Sequence, residues 1–284
     1  MSVSRRKFLQ TSGLLTVAGL LSMNELLACN SKLNNYGIQL YSVRDEVSKD
    51  PKGVLKQLAS FGYTQIESFE GAQGMFWGMT AADFKKYMDD LGMKIISSHC
   101  DIEKDFEKKA ADAASIGMKY LICPYKGPQK SIDDFKKIAE EFNQKGEVCK
   151  KNGIRFAYHN HDYSFEAEQG QIPEDVMLTN TNPELVDFEM DIYWVVTAGA
   201  DPVAYAKKYK NRFRLGHVKD RIKNTTEKDA SCTLGEGSIN YPSVLKELKA
   251  NGMEYFIVEQ ERYDNTTEMD SAKADAKYMS MLAI

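Results

Sequence analysis

The chain holds four histidines, His99, His159, His161 and His217, and each stands at or just past the end of a short apolar run. The ends of neighbouring runs carry side chains of matching chemistry: Gln39 and Tyr41, Glu67, Asn160, Glu189 with Asp191, Lys219 with Asp220, and Glu259 with Glu261. Imidazole and carboxylate groups are ligands for divalent cations such as Mn²⁺, Co²⁺ or Zn²⁺. A lone histidine on an apolar run is usually a satisfied core residue. All four collecting with acids at run ends point instead to one shared metal centre. A cation there would polarise a carbonyl oxygen and lower the cost of removing a proton from the adjacent carbon, with nearby side chains taking and returning it.

Such residues need a scaffold that brings run ends together. After Cys29 the chain alternates short apolar runs with longer amphipathic stretches, the pattern of successive strand–helix units. Strands are predicted at 36–43, 64–69, 94–99, 120–124, 155–161, 185–191, 213–219 and 255–259. Helical patterns cover 51–61, 81–91, 106–116, 132–152, 202–209, 241–251 and 269–282, and the sixth unit, 166–182, holds only a short helix in a long loop. Gly62, Gly92, Gly117, Gly153 and Gly252 each close a helix before the next strand, where glycine permits a left-handed cap. The first strand runs into Ser42-Val43-Arg44-Asp45 and lacks the GxGxxG that opens a doubly wound nucleotide fold. The prediction is an α/β (β/α)₈ TIM barrel formed by residues 29–284 as one domain, with the polar run ends on its C-terminal rim.

The motifs behind this prediction are specific. They are Gly37-Ile38-Gln39-Leu40-Tyr41-Ser42-Val43-Arg44, Tyr158-His159-Asn160-His161-Asp162, Phe188-Glu189-Met190-Asp191-Ile192-Tyr193-Trp194, Gly216-His217-Val218-Lys219-Asp220 and Val258-Glu259. In these the chain resembles the xylose isomerase-like superfamily, in particular the sugar phosphate isomerase/epimerase group related to inosose dehydratases and 3-epimerases. The resemblance implies one divalent metal held at the ends of strands five to eight, commonly by Glu, Asp, His and Glu. Asp191, His217 and Glu259 match the last three positions, and His159 stands where the first glutamate is usual. It further implies Glu259 as ligand and base, His161 or His159 as its proton-transfer partner, and Lys219 as the group that stabilises charge on oxygen. Histidine ligation favours Mn²⁺, Co²⁺ or Zn²⁺ over Mg²⁺, and an imidazole partner predicts activity falling in acid.

Gln39, Tyr41, Glu67, His99, Trp77 and Trp194 are candidate substrate contacts, with Phe76 beside Trp77, although Glu67 and His99 can equally orient the ligands. Glu189, two residues before Asp191, points to the same side of its strand and deeper, toward a lysine or arginine partner.

The N-terminus carries a different signal. Ser4-Arg5-Arg6-Lys7-Phe8-Leu9 precedes an acid-free apolar run from Gly13 to Leu21, and Leu26-Leu27-Ala28-Cys29 follows. These resemble a twin-arginine export signal and a lipobox. They imply removal of residues 1–28, a lipid on Cys29 and a periplasmic or outer-membrane-anchored lipoprotein. The apolar run is shorter than the ~20 residues that span a bilayer. Cys100, Cys123, Cys149 and Cys232 are far apart and read as free thiols.

The leader's net charge of +2 takes the chain from −4 to −6, and no long Lys/Arg block follows it, which opposes nucleic acid as a partner. The same features oppose an apurinic-site endonuclease, which uses this barrel with three metals. Three readings remain. One is an isomerase or epimerase of a free or keto sugar. Another is a keto-sugar or inosose dehydratase or lyase that shares the first proton abstraction. The third is a non-catalytic surface sugar-binding lipoprotein, which needs no Asp/His/Glu cluster. Export and the lack of a Gly-rich phosphate cradle near strands seven and eight disfavour a phosphorylated substrate. No feature of the sequence sets the oligomeric state.

Overall fold

The computed structural model describes residues 32–284; the leader and Cys29 lie outside them. Eight parallel strands close into a barrel: β1 (Gly37–Gln39), β2 (Gln65–Phe69), β3 (Lys94–His99), β4 (Tyr120–Cys123), β5 (Arg155–His159), β6 (Val186–Asp191), β7 (Phe213–Val218) and β10 (Tyr255–Val258). Each pairs with its neighbours in chain order, and β10 closes the barrel between β7 and β1. A short antiparallel pair, β8 (Asp220–Arg221) and β9 (Ser231–Cys232), sits in the connection after β7. The fold is the predicted (β/α)₈ barrel.

Helices α1 (Arg44–Val47), α2 (Pro51–Phe61), α3 (Ala81–Asp90), α4 (Phe106–Ser115), α5 (Ile132–Lys151), α6 (Pro173–Asn180), α7 (Ile192–Thr197), α8 (Pro202–Lys208), α9 (Tyr241–Ala250) and α10 (Glu268–Met281) connect the strands. Several starts follow side-chain caps: Asp50 accepts from the Gly53 amide ahead of Pro51, and Asp201 accepts from Val203 and Ala204 around Pro202. At the far end of α2, Gly62 takes a φ of +107°, a conformation that a β-carbon would strain.

Two strands are shorter than expected, and in both a side-chain amide replaces strand pairing. β1 stops at Gln39 because its side chain accepts from the Tyr41 amide and starts a 3₁₀ turn over Leu40–Val43. β5 stops at His159 because the next residue, Asn160, turns its side chain onto the backbone of Asp191. Asn160 donates to the Asp191 carbonyl (3.2 Å) and accepts from its amide (3.0 Å). His161 therefore leaves the sheet and enters the cleft above it.

Inward-facing residues alternate along each strand. Leu215 precedes His217 by two, Ala157 precedes His159 and Ile257 precedes Glu259, and these join Ile96, Tyr120 and Ile122 in a buried apolar plug. The larger apolar layer lies between strands and helices. The polar residues thus stand on a packed floor at the C-terminal mouth.

Candidate active site

Four strand ends bring His159, Asp191, His217 and Glu259 together, with one ligand atom from each within 4.8 Å of all the others. His159 Nε2 lies 3.1 Å from His217 Nδ1 and 3.4 Å from Asp191 Oδ2, and His217 Nδ1 lies 3.1 Å from Glu259 Oε2. All four residues are buried.

The hydrogen-bond partners decide what these atoms offer. His159 Nδ1 faces the Pro124 carbonyl at 3.2 Å, and a carbonyl only accepts, so the proton is on Nδ1 and Nε2 has a free lone pair. Asp191 divides its work: Oδ1 caps α7 by accepting from the Trp194 amide, while Oδ2 is buried with no hydrogen-bond partner. His217 Nε2 lies 2.8 Å from Glu67 Oε1, where it donates, and Nδ1 faces Glu259 and Asp191. Against its burial, the carboxylates of Glu189 and Glu259 raise the metal-free imidazole well above its usual range, so a cation at Nδ1 would take the place of a proton. Four potential ligand atoms thus converge, and nitrogen and carboxylate donors in this number suit a divalent transition metal.

Lys219 supplies positive charge on one side. Its ammonium is 3.2 Å from Glu259 Oε2, 3.7 Å from Asp191 Oδ2, and hydrogen-bonded to Glu261. Its backbone is fixed by Tyr241, whose hydroxyl accepts from the Lys219 amide at 2.8 Å. Burial alone would raise the Glu259 carboxyl, but Lys219 and His217 hold it well below the usual range. Burial raises the Glu261 carboxyl, with Lys219 opposing.

A second group of four, Glu67, His99, Glu189 and His217, lies beneath the first. Gln39 and Ser97 donate to the two oxygens of Glu67, and His99 Nε2 lies 2.8 Å from Glu189 Oε2. The predicted lysine or arginine partner of Glu189 is not there. Its neighbours are the imidazoles of His99 and His217, because the alternation that turns it inward aims it across the barrel at β3 and β7.

Above both groups opens a cleft of about 300 Å³ lined by Tyr41, Phe69, His99, Tyr125, His161 and Trp194, together with the acids Glu70, Asp101, Glu259 and Glu261. Of the predicted substrate contacts, Tyr41, His99 and Trp194 line it. Gln39 and Glu67 are wholly buried below. Trp77 stands behind Phe69, edge-on at 4.9 Å, and donates to Ser68 Oγ; Phe76 packs against Phe84 in the outer layer. Phe69 and Tyr125 are lining residues that sequence reasoning missed. Phe69 ends β2 and was readable from its position; Tyr125 follows β4 and is 54% exposed, with no sequence mark.

His161 lies edge-on to Tyr125 (4.9 Å) and stacks on Trp194 (5.5 Å), with Nδ1 buried and unpartnered. Burial, helped by His159, pushes its imidazole down to about 2. It stays neutral through the physiological range, so the acid loss of activity expected from its protonation has no basis in this geometry.

A family profile described as the xylose isomerase-like TIM barrel matches residues 55–281. The chain belongs to this family. A sugar phosphate isomerase/epimerase from Parabacteroides distasonis superimposes with a TM-score of 0.76 at 30% identity, over 88% of this chain and 94% of that one. Inosose dehydratase from Clostridium perfringens is 30% identical over 145 residues, 46% of this chain, so the chain spans about half (48%) of that relative's length. Inosose dehydratase from Mesomycoplasma hyopneumoniae is 24% identical over 278 residues, 89% of this chain and 87% of the relative. The IOLI protein with a bound zinc atom has a TM-score of 0.71 at 13% identity, over 86% and 95% of the two chains, a likeness of fold alone.

Proposed function

We propose that the protein is a metal-dependent isomerase or epimerase of an uncharged free or keto sugar, with His159, Asp191, His217 and Glu259 holding the ion. The observation that carries this reading is the convergence of four potential ligand atoms, one of them the unpartnered Asp191 Oδ2, at the floor of an aromatic-walled cleft. When bound, the metal polarises the substrate carbonyl and so acidifies the adjacent C–H.

The chain's own residues do the rest. Glu259, held ionised, takes the proton from that carbon. Lys219, touching both Glu259 and Glu261, offsets negative charge developing on the substrate oxygen. His161, neutral and facing the cleft, hydrogen-bonds a substrate hydroxyl and steers the return of the proton. Tyr41, Phe69 and Trp194 cover the apolar face of the sugar ring. Among the described residues that line the cleft there is no lysine or arginine but four carboxylates, which disfavours a phosphorylated substrate.

The inosose dehydratase relatives favour a second reading: loss of water from a keto-sugar or inosose after the same first proton abstraction. One experiment separates the two. Metal-loaded protein is incubated in D₂O with free sugars, keto-sugars and inososes. Deuterium next to the carbonyl in an isomerised product supports the first reading, and an unsaturated ketone supports the second. If no substrate exchanges or reacts, both fail and the sugar-binding reading stands.

A further inference from the structure

Of the lower group, Glu67, His99, Glu189 and His217, only His217 has a part in the mechanism above. Its side chains come from β2, β3, β6 and β7, and all four are buried. The distances around it are 2.8 Å (Glu67 Oε1 to His217 Nε2), 3.2 Å (Glu67 Oε1 to His99 Nε2), 2.8 Å (His99 Nε2 to Glu189 Oε2) and 3.4 Å (Glu189 Oε2 to His217 Nε2). Four ligands bonded at about 2.0–2.2 Å to a tetrahedral centre stand about 3.3–3.6 Å apart. The 3.2 and 3.4 Å separations are close to that spacing and the two of 2.8 Å are about 0.5 Å short of it, so a modest outward shift would admit one ion.

Two further observations point the same way. The register of β2 on β3 shifts between Ile66 and Glu67, and that of β6 on β7 shifts between Phe188 and Glu189. In each the extra residue is on the partner strand, Ile96 of β3 and Arg214 of β7, and such irregularities re-aim the side chains of the strand that carries them, here those of His99 and His217. The second concerns charge. Glu67 and Glu189 are two buried carboxylates; Glu67 also accepts from Gln39 and Ser97, but imidazoles are the only ionisable groups that could balance their charge, and Glu189 Oε1 is buried with no partner at all. Lys219 is engaged with the upper group. Two buried anions need two positive charges. With His217 Nδ1 serving as a ligand above, His217 cannot also be an imidazolium, which leaves His99 alone to balance two carboxylates.

We propose that the lower group binds a second divalent cation through Glu67, His99, Glu189 and His217, and that the His217 ring bridges the two ions, Nδ1 to the upper and Nε2 to the lower. The second cation replaces the proton on His217 Nε2 and neutralises Glu67 and Glu189. Of its ligands only His99 lines the cleft, and its role is to fix the His217 ring and the charge beneath the reacting ion. Thiolate is absent from the set, and imidazole with carboxylate suits Zn²⁺, Co²⁺ or Mn²⁺.

This rests on the upper group being a metal site, and the test keeps the two apart. The purified protein is dialysed against Zn²⁺, then against Mn²⁺, and bound metal is counted by mass spectrometry. Two ions per chain are expected. Glu67→Gln, which preserves volume, and His99→Ala should each bind one, and Asp191→Asn should also bind one, retained below. A wild-type protein that saturates at one ion, kept by Glu67→Gln and lost by Asp191→Asn, overturns the second cation and leaves the proposed function intact. One ion lost by Glu67→Gln and kept by Asp191→Asn overturns the bridged pair and the upper metal together. The wild-type count needs no variant, so a misfolded mutant cannot hide the answer.

Discussion

At the scale of single residues the site depends on how each polar atom is already engaged. Asp191 gives Oδ1 to the Trp194 amide and keeps Oδ2 free, so one carboxylate both starts α7 and presents a lone pair to the site. Asn in its place retains a carbonyl for the cap and puts an N–H₂ among acceptors. Asp191→Asn should therefore keep its metal-free melting temperature within a few degrees while losing affinity for the upper ion by more than the roughly 10–100-fold seen when only an outer partner is removed. Melting curves and a metal titration check this; unchanged affinity would remove Asp191 from the ligands. His161→Ala should instead bind metal normally and lower turnover, since the residue lines the cleft and is not in the group of four that could hold the ion. Loss of metal with that variant would exchange the roles of His159 and His161. The types and rim positions of these groups were legible in the sequence, because all four histidines close apolar runs. The partner of Glu189 was not, because it depends on how distant strands face one another across the barrel.

At the scale of elements, strand and helix ends were legible wherever glycine, proline or a capping side chain marks them, as at Asp50-Pro51 and Gly62. They were misread where an amide side chain takes over a backbone partner, as with Gln39 and Asn160, since that needs the neighbouring strand in view. Glu174, in the first turn of α6, carries a pH signature of its own. It is wholly buried, both its oxygens lack a hydrogen-bond partner, and burial followed by nearby Asp175 pushes its carboxyl up to about 8 despite Arg212. Below about pH 4 the group is protonated whether the chain is folded or not, and it contributes nothing. Between there and about pH 8 the unfolded chain releases the proton and the folded one keeps it, so stability falls as pH rises. Glu174→Gln removes this penalty. The variant should melt with wild type at pH 4 and several degrees higher at pH 7, at roughly 2–4 °C per kcal/mol for a domain of this size. A difference independent of pH would show that Glu174 is ionised in the fold.

At the scale of the whole molecule, the barrel separates its two ends. The cleft opens where the strands finish, whereas the chain enters at the opposite end: Lys32 bridges to Ala283, and the Leu33 amide donates to the Leu282 carbonyl just beyond α10. Among the described residues no helix is long and apolar enough to cross a membrane, and the proposed anchor rests on Cys29. Only two residues, Asn30 and Ser31, separate Cys29 from Lys32, a reach of about 10 Å even when extended. A lipid on Cys29 would hold the closed end of the barrel near the bilayer and leave the cleft facing away from it, open to sugars in solution. The anchor should then govern location and leave catalysis alone. Expressed in a bacterium that exports it, wild type should sediment with membranes and Cys29→Ser should be released, while the two, once purified, share kcat/KM within a factor of about two on the substrate found in the D₂O screen. A Cys29→Ser protein that stays with the membrane overturns the anchor; one that is released but loses activity overturns the separation of the two ends.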